Sequence, residues 1–498
     1  MRRNQEWGKV QLDRMYDVII VGAGIIGCAV AFRLAEYTGN IAVIDKGHDV
    51  TEGASKANSG IIHAGYDAAV GSDKARLNVK GAKMYPGLCA RLGVPYGNPG
   101  ALVIAFDDEE LAFIQELSKQ AELNGVMGCR VVSRDEAVRM EPNVNPSIMS
   151  ALYIPSSGLV SPYEMTYALA DSAKENGVEF LLDTTVRALL KVDDYWVVET
   201  NKGSYAAKTV VNCAGVGAGE LHNSISSKRV NIIPRRGQYY LLDKDKQLAF
   251  RMTLFQVPTS MGKGVLVTPT THGNVLLGPT AEDIQDPFDT ATTRSGLDEA
   301  FSKVKKTWPD CTMRNVITTF SGIRAHEEGD DFIVGTVEGA PDGAFEAIGI
   351  ESPGLSAAPA IGEELGDWVA WYLKLPMRGD YRGPKPLPKA FSYMSNAERA
   401  EAYAQNPEYG RIVCRCEQVT EAEVRYAIRR PCGARSVDGV KRRTRAGMGR
   451  CQGGFCSTRV AQILSEELGQ DLLSITKLGG ESFLLTDELK PKSEGRNR

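Results

Sequence analysis

The chain has 498 residues, 43% of them hydrophobic and 24% charged, with a formal net charge of -4, the composition of an ordinary globular protein large enough for two or three domains. The charge balance offers no electrostatic footprint for nucleic acid, and no apolar run approaches the roughly 18 residues needed to span a membrane. The opening segment, MRRNQEWGKVQLDRM, is charged and lacks the apolar centre of a secretory signal, so a cytoplasmic location is expected.

The first strong pattern is 16–46, YDVIIVGAGIIGCAVAFRLAEYTGNIAVIDK. An apolar run at 18–21 is short enough for a buried parallel strand, Gly22, Gly24 and Gly27 follow at GxGxxG spacing, 25–37 has helical character, and a second run at 41–44 ends in Asp45. This is a βαβ unit with a dinucleotide fingerprint. Gly22 permits the tight turn, Gly24 lets the backbone approach a pyrophosphate at the helix N-terminus, Gly27 allows close packing of helix on strand, and Asp45 is placed to accept from a ribose.

A small, polar, loop-like stretch follows, containing His63, one of five histidines. Helices are predicted over 74–85, 108–124, 133–140 with a cap, 161–176, 296–307 and 357–373, and strands over 102–106, 178–182, 196–200 and 209–211. Runs at 239–242, 264–267 and 274–277, with few helices between them, point to an antiparallel sheet, and short strands return at 318–324, 332–335 and 345–349. LPMRGDYRGPKPLP, 375–388, reads as a linker, and KPKSEGRNR at the end reads as a mobile tail.

Only one complete GxGxxG is present, so the nucleotide is more naturally a permanently held FAD than NAD. VVNCAGVGAGE places a strand before a Gly-rich turn, and FEAIGIESPGLSAAPAIGEELGDW gives strand, turn at Ser352, Pro353 and Gly354, then helix, whose N-terminus would favour negative charge on a reduced flavin.

The motifs VGAGIIG, ANSGIIHAG, VVNCAG, SGIRA and IESPGLSAAPAIGEELG, in this order, resemble the FAD-dependent D-amino-acid-oxidase superfamily, and within it the glycerol-3-phosphate oxidase/dehydrogenase and L-2-hydroxyglutarate oxidase branch. The resemblance covers about the first 375 residues. It implies an α/β plus α+β architecture: a Rossmann-like FAD domain over 14–375, with FAD-binding segments 14–85, 155–225 and 320–375 and an inserted antiparallel-sheet substrate domain from 86–154 and 226–319. The residues expected at FAD are Gly22, Gly24, Gly27, Asp45, Lys46, Ser55, Asn58, Ser59, Gly60, Val186, Ala214, Gly215, Gly354 and Leu355.

Oxidising a secondary alcohol at a flavin requires a hydride path, an acceptor for the hydroxyl proton and a cationic clamp for an anionic substrate. His63, which titrates near neutrality, is the base candidate. Arg324 matches the family's substrate-anchoring arginine, the structural alternative being an ion pair with Glu327, Asp330 or Asp331. Lys263 resembles a lysine near the substrate in the soluble glycerol-3-phosphate oxidases, and Ser352 would donate a hydrogen bond to the substrate. The membrane-associated glycerol-3-phosphate dehydrogenases carry an arginine shortly after their matching histidine; here His63-Ala64-Gly65 is followed by Tyr66 and Asp67, which keeps a dicarboxylate hydroxyacid in play.

Of ten cysteines, Cys28, Cys89, Cys129, Cys213 and Cys311 are scattered and read as small core residues. Cys414 and Cys416 form C-x-C, and Cys451 and Cys456 form C-x-x-x-x-C, two pairs able to hold a 2Fe-2S cluster or zinc. The pattern resembles the bacterioferritin-associated-ferredoxin-like domain, which implies a small helical 2Fe-2S domain over 410–468, between a linker, 376–409, and a tail, 469–498. Cys432 fits neither pair.

The combined expectation is an FAD dehydrogenase oxidising sn-glycerol 3-phosphate to dihydroxyacetone phosphate, a hydride passing from C2 to flavin N5. Electrons would leave through the cluster to an electron-acceptor protein or a second flavoprotein subunit. The alternatives are an L-2-hydroxyglutarate or related 2-hydroxyacid dehydrogenase, an amino- or imino-acid dehydrogenase, and a non-catalytic electron-transfer protein. A pure relay would need neither His63 nor Arg324.

Overall fold

Residues 16–46 fold as their spacing requires, into a strand (Met15–Val21), helix α1 (Ile25–Leu34) and a second, parallel strand (Ile41–Ile44). The structure, a computed structural model, describes residues 15–245, 250–258 and 264–487; Lys263 and the terminal KPKSEGRNR lie outside the described residues. Two units are present, Met1–Pro388 and Lys389–Arg498.

The apolar runs of the fingerprint are continuous because both strands lie inside an eight-stranded sheet, covered on both faces. Its order is Val186–Val192, Tyr195–Thr200, Gly203–Asn212, Met15–Val21, Ile41–Ile44, Glu179–Leu181, and Ala344–Ile348 and Ile333–Thr336 join beside Gly203–Asn212. The remaining helices of the unit are α2 (Asp73–Leu92), α3 (Asp108–Leu123), α4 (Arg134–Met140), α5 (Pro162–Glu175), α6 (Ala218–Ile225), α7 (Arg294–Thr307) and α8 (Gly354–Leu373). Helix α2 passes through Pro86, where the sequence predicts an end near 85. Buried Leu88, Cys89 and Leu92 hold its second half down, while Pro86 is exposed and the carbonyl it leaves unbonded can reach water.

A nine-stranded, mostly antiparallel sheet follows the order Glu282–Asp283, Ile232–Leu242, Val275–Gly278, Leu266–Pro269, Thr253–Gln256, Ala101–Ala105, Ser150–Ile154, Arg130–Ser133. Leu102, Ile104, Leu254, Val267 and Leu277 bury one face with Val304 of α7, and Val103, Leu152, Phe255 and Leu266 bury the other with Ile114 and Leu117 of α3. Val316–Glu327 pairs along its length with Ile232–Leu242, so this sheet reaches Glu327, beyond the boundary expected near 320.

The stretch 375–388 is not a free linker. Pro376 O accepts from Thr38 N–H, Arg378 N–H donates to Glu36 O and Leu387 N–H to Leu92 O, each at 2.8 Å, which fastens the stretch along the first unit. Residues 389–409 belong to the second unit and carry helix α9 (Asn396–Gln405), started by a capping box between Ser395 and Glu398. Helices α10 (Glu421–Arg429), α11 (Val437–Thr444) and α12 (Ser457–Leu468) surround Val424, Ile428, Val440, Val460, Ile463 and Leu464. The unit also extends past 468: Ile475 is buried, and Val437 N–H donates to Thr476 O at 3.1 Å.

Helix α2 approaches α8 at Gly81, where a Cβ would lie 2.1 Å from Ser356 O, whereas one on Gly87 would meet nothing within 4 Å. Gly81→Ala is therefore expected to cost about 1–3 kcal/mol, and Gly87→Ala to cost nothing or to stabilise by up to about 1 kcal/mol. Thermal melting of the two variants checks this; equal melting temperatures would remove the close approach as a constraint.

Candidate functional site

The glycines of the first turn do different work. Gly22 takes φ +112°, and a Cβ there would lie 2.3 Å from Cys213 O; a Cβ on Gly27 would lie 1.9 Å from Gly22 O. Both are required by packing. A Cβ on Gly24 would meet only Ser55 Oγ, at 3.2 Å, so Gly24 borders open room at the N-terminus of α1. That terminus has no side-chain cap and no acid in its first turn, and Ile25 N–H donates to Ser55 Oγ at 2.9 Å. A positive helix end without its own carboxylate suits an anionic pyrophosphate.

Asp45 accepts from Ala23 N–H and Gly47 N–H, each at 2.6 Å. Burial pushes its carboxyl above the usual range despite these two donors. A further hydroxyl donor, such as a ribose, would stabilise its charged form. Thr184 N–H donates to Asp45 O and Asp183 N–H to Gly47 O, which carries the segment leading to Val186 alongside. Lys46 Nζ stands 3.5 Å over the Phe288 ring. Ala214 and Gly215 begin the turn after Gly203–Asn212, with Ala214 Cα near Gly22. In the 54–60 loop, Asn58 Oδ1 accepts from Gly60 N–H (2.9 Å) and its Nδ2 donates to Ala54 O and Ser55 O.

His63 is buried, and its peptide is clamped on both sides. Its N–H donates to Ser356 Oγ at 2.7 Å. Asn78 of α2, in the amide orientation that satisfies both groups, donates to His63 O at 2.8 Å and accepts from Gly65 N–H at 3.0 Å. The His63 ring lies 5.6 Å from that of Phe255. Ser356 is in the first turn of α8, directly after Ser352, Gly354 and Leu355, so these residues and His63 converge on the N-terminus of α8, which has no acid in its first turn. Tyr85 O–H donates to Leu355 O at 2.5 Å.

Arg324 is half-buried on Val316–Glu327 and donates from Nη2 to Thr280 O at 3.2 Å. It crosses Gly237, where a Cβ would lie 2.7 Å from Nη2. Burial pushes the Tyr239 phenol up, opposed chiefly by the Arg324 charge. The acids that offered Arg324 a structural ion pair are engaged elsewhere. Asp330 pairs with Lys74 at 2.7 Å, Asp331 accepts from the N–H groups of Asp73 and Lys74, and Glu327 accepts from Gly329 N–H. His326 Nδ1 lies 3.0 Å from Glu351 Oε1, which is 3.3 Å from Lys74 Nζ. This cluster ties the Arg324 strand to α2 and to the residue before Ser352.

The sequence pointed to none of Ser356, Asn78, Tyr239, His326 or Glu351. Only the IESPGLS motif, which contains Glu351 and Ser356, carried a signal that would have found any of them.

In the second unit the two cysteine pairs meet. Cys416 Sγ is 3.7 Å from Cys451 Sγ. A hydrogen bond from Cys456, helped by the N–H groups of Gly447 and Glu417, pulls the Cys414 thiol down to about 6 against burial, and Cys456, as the donor, is raised. Cys414 and Cys456 are buried, Cys451 is half-buried and Cys416 is exposed. A Cβ on Gly449 would lie 2.3 Å from Cys416 Cβ. Four converging sulfurs with backbone N–H donors and a side-chain-free turn fit an iron–sulfur cluster. Cys432 is buried, and its carbonyl accepts from Arg443 Nε and Nη2. Burial pushes four of the scattered thiols up, Cys89 and Cys213 to about 12 and Cys129 and Cys311 to about 11.

Residues 17–368 match the family model described as FAD dependent oxidoreductase. The chain belongs to that family. Residues 412–466 match the BFD-like 2Fe-2S binding domain. A glycerol 3-phosphate dehydrogenase of Caloramator mitchellensis is 45% identical over 96% of this chain and 99% of its own length. The L-alpha-glycerophosphate oxidase of Mycoplasma pneumoniae, solved with FAD bound, superposes with a TM-score of 0.72 at 32% identity, covering 76% of this chain and all (100%) of that one. An L-2-hydroxyglutarate dehydrogenase of Escherichia coli is 30% identical over 54% of this chain and 64% of its own. This FAD dependent oxidoreductase thus has FAD and a 2Fe-2S cluster as its cofactors, one for each matched region. No helix among the described residues is long and apolar enough to cross a membrane.

Ser356→Ala leaves the buried His63 N–H without its acceptor. It is expected to cost about 1–3 kcal/mol, a loss read as a lower melting temperature of the FAD-loaded protein. An unchanged melting temperature would show that this bond does not hold the His63 segment.

Proposed function

We propose that this chain is an FAD-dependent dehydrogenase that oxidises sn-glycerol 3-phosphate to dihydroxyacetone phosphate and passes the electrons through its 2Fe-2S cluster to a partner. The observation that carries the reading is the 45% identity to a glycerol 3-phosphate dehydrogenase over 96% of the chain, spanning both units. The geometry supports it. FAD supplies a two-electron acceptor for the hydrogen at C2 of the substrate, and the cluster a one-electron exit. The His63 imidazole takes the C2 hydroxyl proton, its backbone held from both sides by Ser356 and Asn78. The Arg324 fork, with its neighbouring acids already engaged, binds the phosphate bidentately, and Lys263 adds a second cation. Ser352 donates to the substrate.

FAD is held by the Gly22, Gly24 and Gly27 turn, Asp45, Lys46, the Ser55, Asn58, Ser59 and Gly60 loop, Val186, Ala214, Gly215, Gly354 and Leu355. Cys414, Cys416, Cys451 and Cys456 ligate the cluster. The acceptor is an electron-transfer protein or a second flavoprotein subunit. The absence of any disulfide among the ten cysteines fits a cytoplasmic setting. A second reading, an L-2-hydroxyglutarate dehydrogenase, is favoured by one observation, the Tyr66 and Asp67 that stand where an arginine would give a further phosphate contact. Anaerobic bleaching of the flavin by each substrate decides between the two.

His63→Ala is expected to lower kcat on the order of 100-fold, and Arg324→Ala mainly to raise KM, by a loss of up to about 3 kcal/mol. Wild-type rates of flavin reduction in both variants at every substrate concentration would remove both roles.

Replacing Cys451 and Cys456 by Ser is expected to abolish the visible absorbance of the cluster and turnover with the native acceptor, while substrate still bleaches the flavin. Brisk peroxide formation unaffected by the change would mark a simple oxidase with a structural metal domain.

A further inference from the structure

The turn between Cys451 and Cys456 carries the most exposed aromatic ring among the described residues of the second unit. Phe455 is 87% exposed, although its neighbour Cys456 is packed in the core. The turn does not depend on that ring. Gly454 N–H donates to Cys451 O at 3.0 Å, Ser457 Oγ to Gly453 O at 2.6 Å, and Gln452 Nε2 to Met448 O and Gly449 O at 3.1 and 3.0 Å. These bonds hold the loop and leave the side chain pointing at solvent. The surroundings are basic. Cys416 and Cys451, the two cysteines that solvent reaches, have sulfurs 3.7 Å apart, and each is preceded by an exposed arginine, Arg415 and Arg450. Arg445 is spent on the buried Glu417 at 2.7 Å, whereas Arg415 enters no ion pair among the described residues. Residues 412–466 hold eleven Lys and Arg against five Asp and Glu, in a chain whose net charge is -4.

We propose that Phe455, with Arg415 and Arg450 beside it, is the docking face for the electron acceptor, an acidic one-electron carrier protein that meets the ring with an apolar spot inside a carboxylate rim. The inference rests on the reading that electrons leave through a cluster held by the four cysteines. Cys416 and Cys451 form the solvent-facing edge of that centre, so a carrier seated on Phe455 is brought against it. Each encounter moves one electron, oxidising the centre and reducing the carrier, with no bond made or broken; two encounters clear the two electrons of one substrate. Encounters of this kind need little buried area. One desolvated aromatic anchor holds the complex, while the arginines speed the approach of an acidic surface and turn away a basic one. A lone ring beside a redox edge favours a carrier over a lipid surface, which would need a wider apolar face.

The test uses the full chain loaded with FAD and cluster, an acidic flavodoxin as the probe and the basic cytochrome c as its counterpart. All proteins are kept oxidised, and apparent Kd is measured by calorimetry at about 10 mM salt, where the Debye length is about 30 Å, and again at about 150 mM. Flavodoxin is expected to bind, and cytochrome c to bind at least about ten-fold more weakly. Arg415→Glu is expected to weaken flavodoxin binding about ten-fold at the lower salt and much less at the higher. Phe455→Ala is expected to weaken it about ten-fold at both. Arg294→Glu and Trp371→Ala make the same changes at exposed positions of the first unit and are expected to leave Kd within about two-fold. The proposal is overturned if wild type does not bind flavodoxin, if cytochrome c binds as tightly, if either face variant keeps wild-type affinity, or if the first-unit variants lose as much. It is likewise overturned if phosphatidylserine vesicles sediment wild type but not Phe455→Ala while flavodoxin does not bind. Stopped-flow mixing of photochemically reduced enzyme with flavodoxin separates the face from the exit route. Binding with the expected pattern but no reduction of flavodoxin means that the exit reading fails and the face stands. Equal rates of reduction by wild type and both face variants mean that the face fails and the exit reading stands. Should Arg415→Glu not take up the cluster, Arg415→Gln removes the charge alone; a loss of about three-fold at the lower salt is expected, and an unchanged Kd overturns the proposal.

Discussion

Much of the first unit depends on one close approach, that of α2 to the first turn of α8 at Gly81. Asn78, Gly81 and Tyr85 lie on one face of α2, three and four residues apart. With no side chain at Gly81, the helices come near enough for Tyr85 to bond Leu355 O, and Asn78 on the same face reaches His63 O. Ser356 closes the arrangement from the α8 side by accepting from His63 N–H. The position of an imidazole is thus set through its own backbone, which side chains of two helices hold from both sides.

Charge supplies a second set of ties between the sheets. Lys74, Asp330, Glu351 and His326 come from α2, the end of the Arg324 strand and the turn before α8. The grouping of His326, Asp330 and Glu351 is compact enough to suggest a cation site, but the Lys74 ammonium already provides the positive charge among them. Lys74, Glu351 and His326 each keep only 11% of their side chains exposed, so they are screened less than a surface pair and hold the nine-stranded sheet against the cofactor sheet.

The fingerprint was legible because its chemistry is local: turn, helix end and terminal acid lie within one short stretch, and each glycine has a spacing to match. His63 and Arg324 were singled out through motifs, which say nothing of the contacts that hold them. The partner of His63 N–H is 293 residues away in sequence, a distance over which periodicity carries no information. Tyr239 reads as one more apolar position on a strand, because stacking on Phe320 and burial use its ring. Pro86 reads as a helix end because local propensity cannot see the buried side chains beyond it. The Ser395 and Glu398 capping box is a local signal, hidden here by its polar surroundings, which resemble a linker.

The two cysteine pairs differ in their exposure to solvent. Cys414 and Cys456 are part of the core of the second unit, whereas Cys416 is exposed and Cys451 half-exposed. Under the proposed ligation, a cluster would have two thiols that folding keeps in place and two that solvent reaches first. The Cys416 and Cys451 sulfurs are 3.7 Å apart, so with the cluster gone, two-electron oxidation by oxygen would join that outer pair as a disulfide. A reductant would then have to reopen it before iron could be taken up again.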